Sequence, residues 1–149
     1  MLNKIKKYAL IFLPLLVGIV ASLLVDFNIY KEINKPPLAP PALLFPIVWS
    51  ILYLLMGISL FLITGERDEK ENKILFGIQL FLNFIWVIIF FRFKLFLISF
   101  IVIILLDFSV LYIILTYYRY NKVSSYLLIP YFLWIAFASY LNWSIFLLN

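Results

Sequence analysis

The sequence predicts an all-α integral membrane protein, a bundle of five transmembrane helices with its N-terminus inside and its C-terminus outside. Three observations carry that reading. Of the 149 residues, 66% are hydrophobic and the mean hydropathy is +1.13, a composition that no water-soluble domain of this size sustains on its surface. The apolar residues fall into five runs long enough for a ~30 Å hydrocarbon core, without the alternation that barrel strands require. Eight of the twelve basic residues (Lys4, Lys6, Lys7, Arg67, Lys70, Lys73, Arg119 and Lys122) lie in the N-terminus and the second and fourth loops. Only Lys31, Lys35, Arg92 and Lys94 lie in the first and third, which orients the N-terminus inward.

The first span covers residues 8–25 behind a lysine-bearing lead. Its length and the weak Ala21-Ser22 cleavage site favour an uncleaved span over a signal peptide. Gly18 and Ser22 form a small-residue pair that would either let a neighbouring helix approach or simply face lipid. Residues 26–41 form the first loop, where Pro36, Pro37, Pro40 and Pro41 hold the backbone extended and suit a fixed cover over the bundle. The second span, 42–63, tolerates Pro46 in its first turns and places Trp49 and Tyr53 one turn apart on one face. Residues 64–73 read as a solvated loop. The third span is 74–91 and the fourth is 95–118, joined by a tight polar turn. The fifth span is 126–148, and the five together make one domain over 1–149.

Composition also excludes chemistry. With no Cys and no His, the chain has no disulfide, no thiolate metal site and no Ser-His triad, so neither a metal site nor a cofactor is expected. The polar residues inside the spans are therefore the informative ones. Asp107 lies near the middle of the fourth span, where an ionised carboxylate costs at least ~3 kcal/mol. It is either a protonated, hydrogen-bonded packing residue or part of a ligand or proton path. Gln79, Asn83, Trp86 and Phe90 share one face of the third span, and Pro130, Trp134, Ala138 and Asn142 follow at uniform spacings of four in the fifth. Such stripes serve interhelical hydrogen bonding, or together line a site for a flat aromatic ligand. At ~1.5 Å per residue, Trp49 and Trp86 lie ~8–10 Å, and Trp134 and Ala138 ~15–21 Å, from the first-loop end. One cavity opening toward that loop would accommodate all of them.

The chain resembles the tryptophan-rich sensory protein or translocator protein (TspO/MBR) family over about residues 8–149. The resemblance rests on Tyr30, Lys35-Pro36 and Pro40-Pro41 leading into Phe45, Trp49, Tyr53 and Met56-Gly57, and on Gln79, Asn83 and Trp86 with Phe90-Phe91. It continues through Asp107 to Pro130-Tyr131, Trp134, Phe137-Ala138 and Asn142. It implies a five-helix bundle, often a homodimer, in a membrane that the lack of a targeting presequence suggests is a bacterial cytoplasmic one. It also implies a pocket for porphyrin-type tetrapyrroles or isoquinoline and benzodiazepine-type drugs beneath the first loop. By position, that pocket would comprise Tyr30, Pro40, Trp49, Tyr53, Asn83, Trp86, Asp107, Trp134 and Ala138. The function implied is a receptor or sensor that affects tetrapyrrole level or transport. Two alternatives are light- and oxygen-dependent porphyrin breakdown through Trp49 and Trp134, and a small transporter using Asp107 as proton relay. The family's lid tryptophans are replaced by Leu38 and Leu43, which bears on ligand choice. Gly77 is all that remains of the small-residue stripe associated with the family dimer, which weakens the case for a homodimer.

Overall fold

Residues 1–149 fold, in a computed structural model, into helices without a single strand. In chain order these are α1 (Leu2–Ala9), α2 (Leu13–Leu23), α3 (Ile29–Glu32), α4 (Leu44–Ile63), α5 (Glu69–Val87), α6 (Phe96–Tyr117), α7 (Lys122–Leu127) and α8 (Ile129–Leu148). Residues Ile88–Arg92 extend α5 as a π-helical turn. Four segments are long and apolar enough to cross a membrane: Leu44–Ile63, Glu69–Arg92, Phe96–Tyr117 and Lys122–Leu148. The α1–α2 pair adds a fifth if a bent pair is one span.

That bend corrects the straight first span expected at 8–25. The two halves meet at 51°. Pro14 has no N–H, and its ring would strike the Leu10 carbonyl if the helix ran through, so the helix stops and restarts with the proline in its first turn. Between the halves the backbone tightens: the Ile11 and Phe12 amides donate to the Tyr8 and Ala9 carbonyls, each at 3.1 Å. The resulting corner presses on α4 where α4 has no side chain, because a Cβ built on Gly57 would collide with the Ile11 carbonyl. One turn along α2, Gly18 leaves room for the Tyr53 ring in the same way.

Other boundaries move for local reasons. The third span starts at Glu69, five residues before the expected 74, because Glu69 and Glu71 suit a helix N-terminus and Glu69 pairs with Lys73 one turn on. The expected solvated loop therefore shrinks to residues 64–68. The fifth span starts at Lys122, where the Asn121 side chain caps α7 by accepting from the Ser124 amide at 3.0 Å, and it breaks at Leu128, just ahead of Pro130. The first loop is not wholly extended, since Ile29–Glu32 makes one helical turn.

Polar side chains join the apolar helices at their centre. The Tyr53 hydroxyl donates to Asn83 Oδ1 (2.8 Å), Asn83 Nδ2 donates to the Tyr131 hydroxyl (3.1 Å), and that hydroxyl donates to Gln79 Oε1 (2.9 Å). A second cluster centres on Asn142, whose Oδ1 accepts from Trp86 Nε1 (3.0 Å) and Ser99 Oγ (2.9 Å) while its Nδ2 donates to the Phe96 carbonyl (2.8 Å). At the opposite end, Ser59 and Ser124 exchange bonds with each other's carbonyls at 2.8 Å, fastening α7 to α4. Tyr117, Ile103, Leu106 and Ile135 are fully buried in the apolar core.

Two glycine substitutions should separate packing from backbone effects. Gly57→Ala forces α4 off the Ile11 corner and is expected to destabilise the protein by ~1–3 kcal/mol. Gly77→Ala meets nothing within 4 Å. It should be neutral or stabilising by up to ~1 kcal/mol, since it removes helix-interior glycine entropy. Thermal unfolding in detergent reads both, and equal midpoints for the two variants would overturn the close α1–α2 corner.

Candidate functional site

The first loop is built as a fixed cover. Asp26 accepts the Asn28 amide at 2.9 Å and turns the chain into α3, which buries Ile29 and Tyr30. The Tyr30 hydroxyl donates to the Pro40 carbonyl at 2.7 Å, closing the loop on itself. Burial raises the Tyr30 pKa above its ordinary 10, so the phenol stays a donor. Lys35 Nζ donates to the Tyr30 and Ile33 carbonyls at 2.5 and 3.1 Å and sits 4.9 Å over the Tyr30 ring centre. The loop is also tied to the far end of α8. The Asn34 amide donates to Asn149 Oδ1 (3.2 Å), and Asn149 Nδ2 donates back to the Asn34 carbonyl (2.9 Å).

Beneath this cover lies a cavity of about 340 Å³. Helix α2 contributes Leu15, Gly18, Ile19, Ala21 and Ser22, and the cover contributes Phe27 and Tyr30. Ala42, Phe45, Pro46, Trp49, Ser50 and Tyr53 come from α4 and its lead-in, and Trp86, Val87 and Phe91 from the end of the third span. Trp49 lies against Tyr53 (ring centres 5.4 Å apart) and Trp86 (6.1 Å), forming an aromatic wall. Ile19, Ser22, Ala42, Pro46 and Ser50 are exposed members of the lining, as is Phe27 at the edge of the cover, so the cavity opens sideways between α2 and α4.

The lining has no charged side chain, and all but one of its side-chain donors are engaged within the protein. Ser22 and Ser50 donate to the Ile19 and Pro46 carbonyls at 2.6 Å. Tyr30 is held by Pro40, Tyr53 by Asn83 and Trp86 by Asn142. Trp49 Nε1–H is the one side-chain donor of the lining that makes no hydrogen bond within the protein. Such a space suits the flat, apolar ring system of a ligand that offers Trp49 an acceptor and leaves any charged groups at the lateral opening.

Of the nine residues expected from sequence, Tyr30, Trp49, Tyr53 and Trp86 line the cavity. Pro40 and Asn83 stand behind it, as the acceptors that hold Tyr30 and Tyr53. Trp134 is outside the lining and packs on the lining residue Phe45, 5.9 Å between ring centres. Ala138 is buried on α8. Asp107 lies at the α6–α8 contact, where its Oδ2 accepts from the Ser139 hydroxyl at 2.6 Å. Leu38 and Leu43, where the lid departs from the family pattern, are 70% and 74% exposed and outside the lining. Sequence reasoning missed the wall supplied by α2. Its signal was the Gly18/Ser22 spacing, which reads equally well as a helix contact.

Comparison with known proteins agrees with this architecture. The model of the TspO/MBR family matches residues 10–148. The tryptophan-rich protein TspO of Archaeoglobus fulgidus is 38% identical over an alignment of 153 positions covering 99% of each chain. The protein of the same name from Chlorobaculum tepidum is 40% identical, over 80% of this chain and 78% of its own. The translocator protein of Ovis aries is 30% identical, over 78% of this chain and 72% of its own. With the helical bundle and its apolar spans, these matches establish that the chain is a membrane protein belonging to the TspO/MBR family.

Proposed function

We propose that this chain is a five-span membrane receptor, its N-terminus inside, that captures a porphyrin-type tetrapyrrole or a similar flat hydrophobic molecule beneath its first loop and so affects its level or transport. The observation that carries the reading is the lining itself: aromatic walls, no charge, and donors engaged within the protein except at Trp49. Water gains little in such a space, whereas a flat ring system stacks on Trp49 and Trp86 and buries apolar area at ~25 cal/mol per Å². Asp107 lies away from the lining, and the receptor reading makes no use of it. Light-dependent breakdown of a bound macrocycle would require an indole at its side. Trp49 supplies one, and Trp134 is one ring removed.

Titration of the purified protein with protoporphyrin IX should quench tryptophan emission saturably. Trp49→Phe keeps a ring but removes the free donor, and is expected to weaken binding about 3- to 10-fold, the equivalent of one hydrogen bond. Trp143→Phe should leave affinity unchanged, since Trp143 packs on Phe100 and Phe146 away from the cavity. Absence of saturable quenching in the parent protein would sink the receptor reading.

The pH dependence follows from the same lining. Its only ionisable groups are phenols, and the raised pKa of Tyr30 keeps that hydroxyl protonated past its ordinary value of 10. Affinity for a neutral aromatic amide such as quinoline-2-carboxamide is therefore expected to stay flat between about pH 6 and 9. A titration step in that window would place an ionised group in the site and contradict the geometry.

A further inference from the structure

Phe45 lines the cavity and packs against Trp134, whose indole N–H is an unused hydrogen-bond donor. Trp134 Nε1 is buried and has no partner, although buried indole N–H groups usually find one. The Trp134 ring packs edge-on against Phe45, which also meets Tyr30 of the cover at 4.9 Å, so this phenyl ring joins the lid, the cavity and the concealed indole. Phe45 occupies the first turn of α4, where intrahelical bonding is incomplete, and Pro46 after it has no N–H to lose. Its side chain can change rotamer there without breaking the helix. With Phe45 as it stands, about 340 Å³ is at the small end for a ligand cavity.

We propose that Phe45 is a movable partition that sets ligand size: in place, it confines the site to a compact aromatic molecule held at Trp49, and swung aside, it joins the cavity to a second lobe floored by Trp134. A macrocycle spanning both lobes presents an acceptor to each indole, which gives the orphan donor its partner. The proposal rests on the ligand-binding reading above and assigns the selectivity of that site to one residue.

The test compares protoporphyrin IX with quinoline-2-carboxamide, the first followed by its own absorbance shift. Phe45→Ala is expected to raise protoporphyrin affinity about tenfold while changing the compact amide less than about threefold, and Phe45→Trp to weaken protoporphyrin about tenfold. Phe45→Leu should fall between the parent and Phe45→Ala, and covers the case in which the alanine variant does not fold. Adding Trp134→Phe to Phe45→Ala should abolish the gain for protoporphyrin alone. Parallel shifts of the two probes across the series, or a gain that survives loss of Trp134, would overturn the partition while leaving the receptor reading intact. If neither probe binds the parent protein, the receptor reading fails and the partition falls with it.

Discussion

The bond from Trp86 Nε1 to Asn142 Oδ1 is the contact on which the rest of the site depends. In hydrocarbon there is no water to satisfy an indole N–H, so Trp86 must either face a protein acceptor or remain unpaired at a cost of about 1–3 kcal/mol. Asn142 supplies the acceptor from α8, and is itself fixed by Ser99 and by the Phe96 carbonyl of α6. One amide therefore sets the distance between three spans and turns the apolar face of Trp86 toward Trp49. The Tyr53–Asn83–Tyr131–Gln79 chain does the same for α4, α5 and α8 one layer away. Polar groups that look suited to a ligand in the sequence are consumed in holding the walls, and the cavity between the walls is left apolar.

Backbone shape supplies the remaining wall. Pro14 sets the bend between α1 and α2, Gly57 lets the bend lie against α4, and Gly18 admits the Tyr53 ring, so that α2 lines the space beside Trp49. Hydropathy reports that a run is long enough to cross a membrane but carries nothing about a 51° corner within it. The signal was Pro14, whose effect depends on whether a neighbouring helix has room to receive the corner. That room is a property of α4, not of the first span.

The same distinction explains which parts of the site were legible. Gln79, Asn83, Trp86 and Phe90 are spaced four, three and four, so they spread over only ~60° around a helix of 3.6 residues per turn and share one face. All four are in fact buried or bonded together on the bundle side. Pro130, Trp134, Ala138 and Asn142 are spaced four throughout, and each step advances ~40°. Trp134 and Asn142 are thus ~80° apart. Asn142 meets Trp86, while Trp134 has turned toward Phe45. A uniform spacing of four looked like one stripe and is two. The lid was legible from its prolines, but its ties were not, since Asn34 and Asn149 are 115 residues apart and meet only once the bundle closes.

On the proposed ligand-binding reading, engaging the donors within the protein also determines how a ligand would be selected. A site that presents hydrogen-bonding groups rejects a molecule lacking the partner by a large factor, because buried polar atoms are then left unpaired; an apolar site discriminates more weakly, by fit. Here Ser22, Ser50, Tyr30, Tyr53 and Trp86 are all engaged before any ligand arrives, so leaving them without a ligand partner strands no donor. Selection falls to the shape of the aromatic walls and to the single donor of Trp49. Leu38 and Leu43, conspicuous in sequence, are exposed and outside the lining. The residues that can alter shape are those whose rings border the space without being pinned by a hydrogen bond. Phe45 is the one among them that packs on a ring carrying an unsatisfied donor.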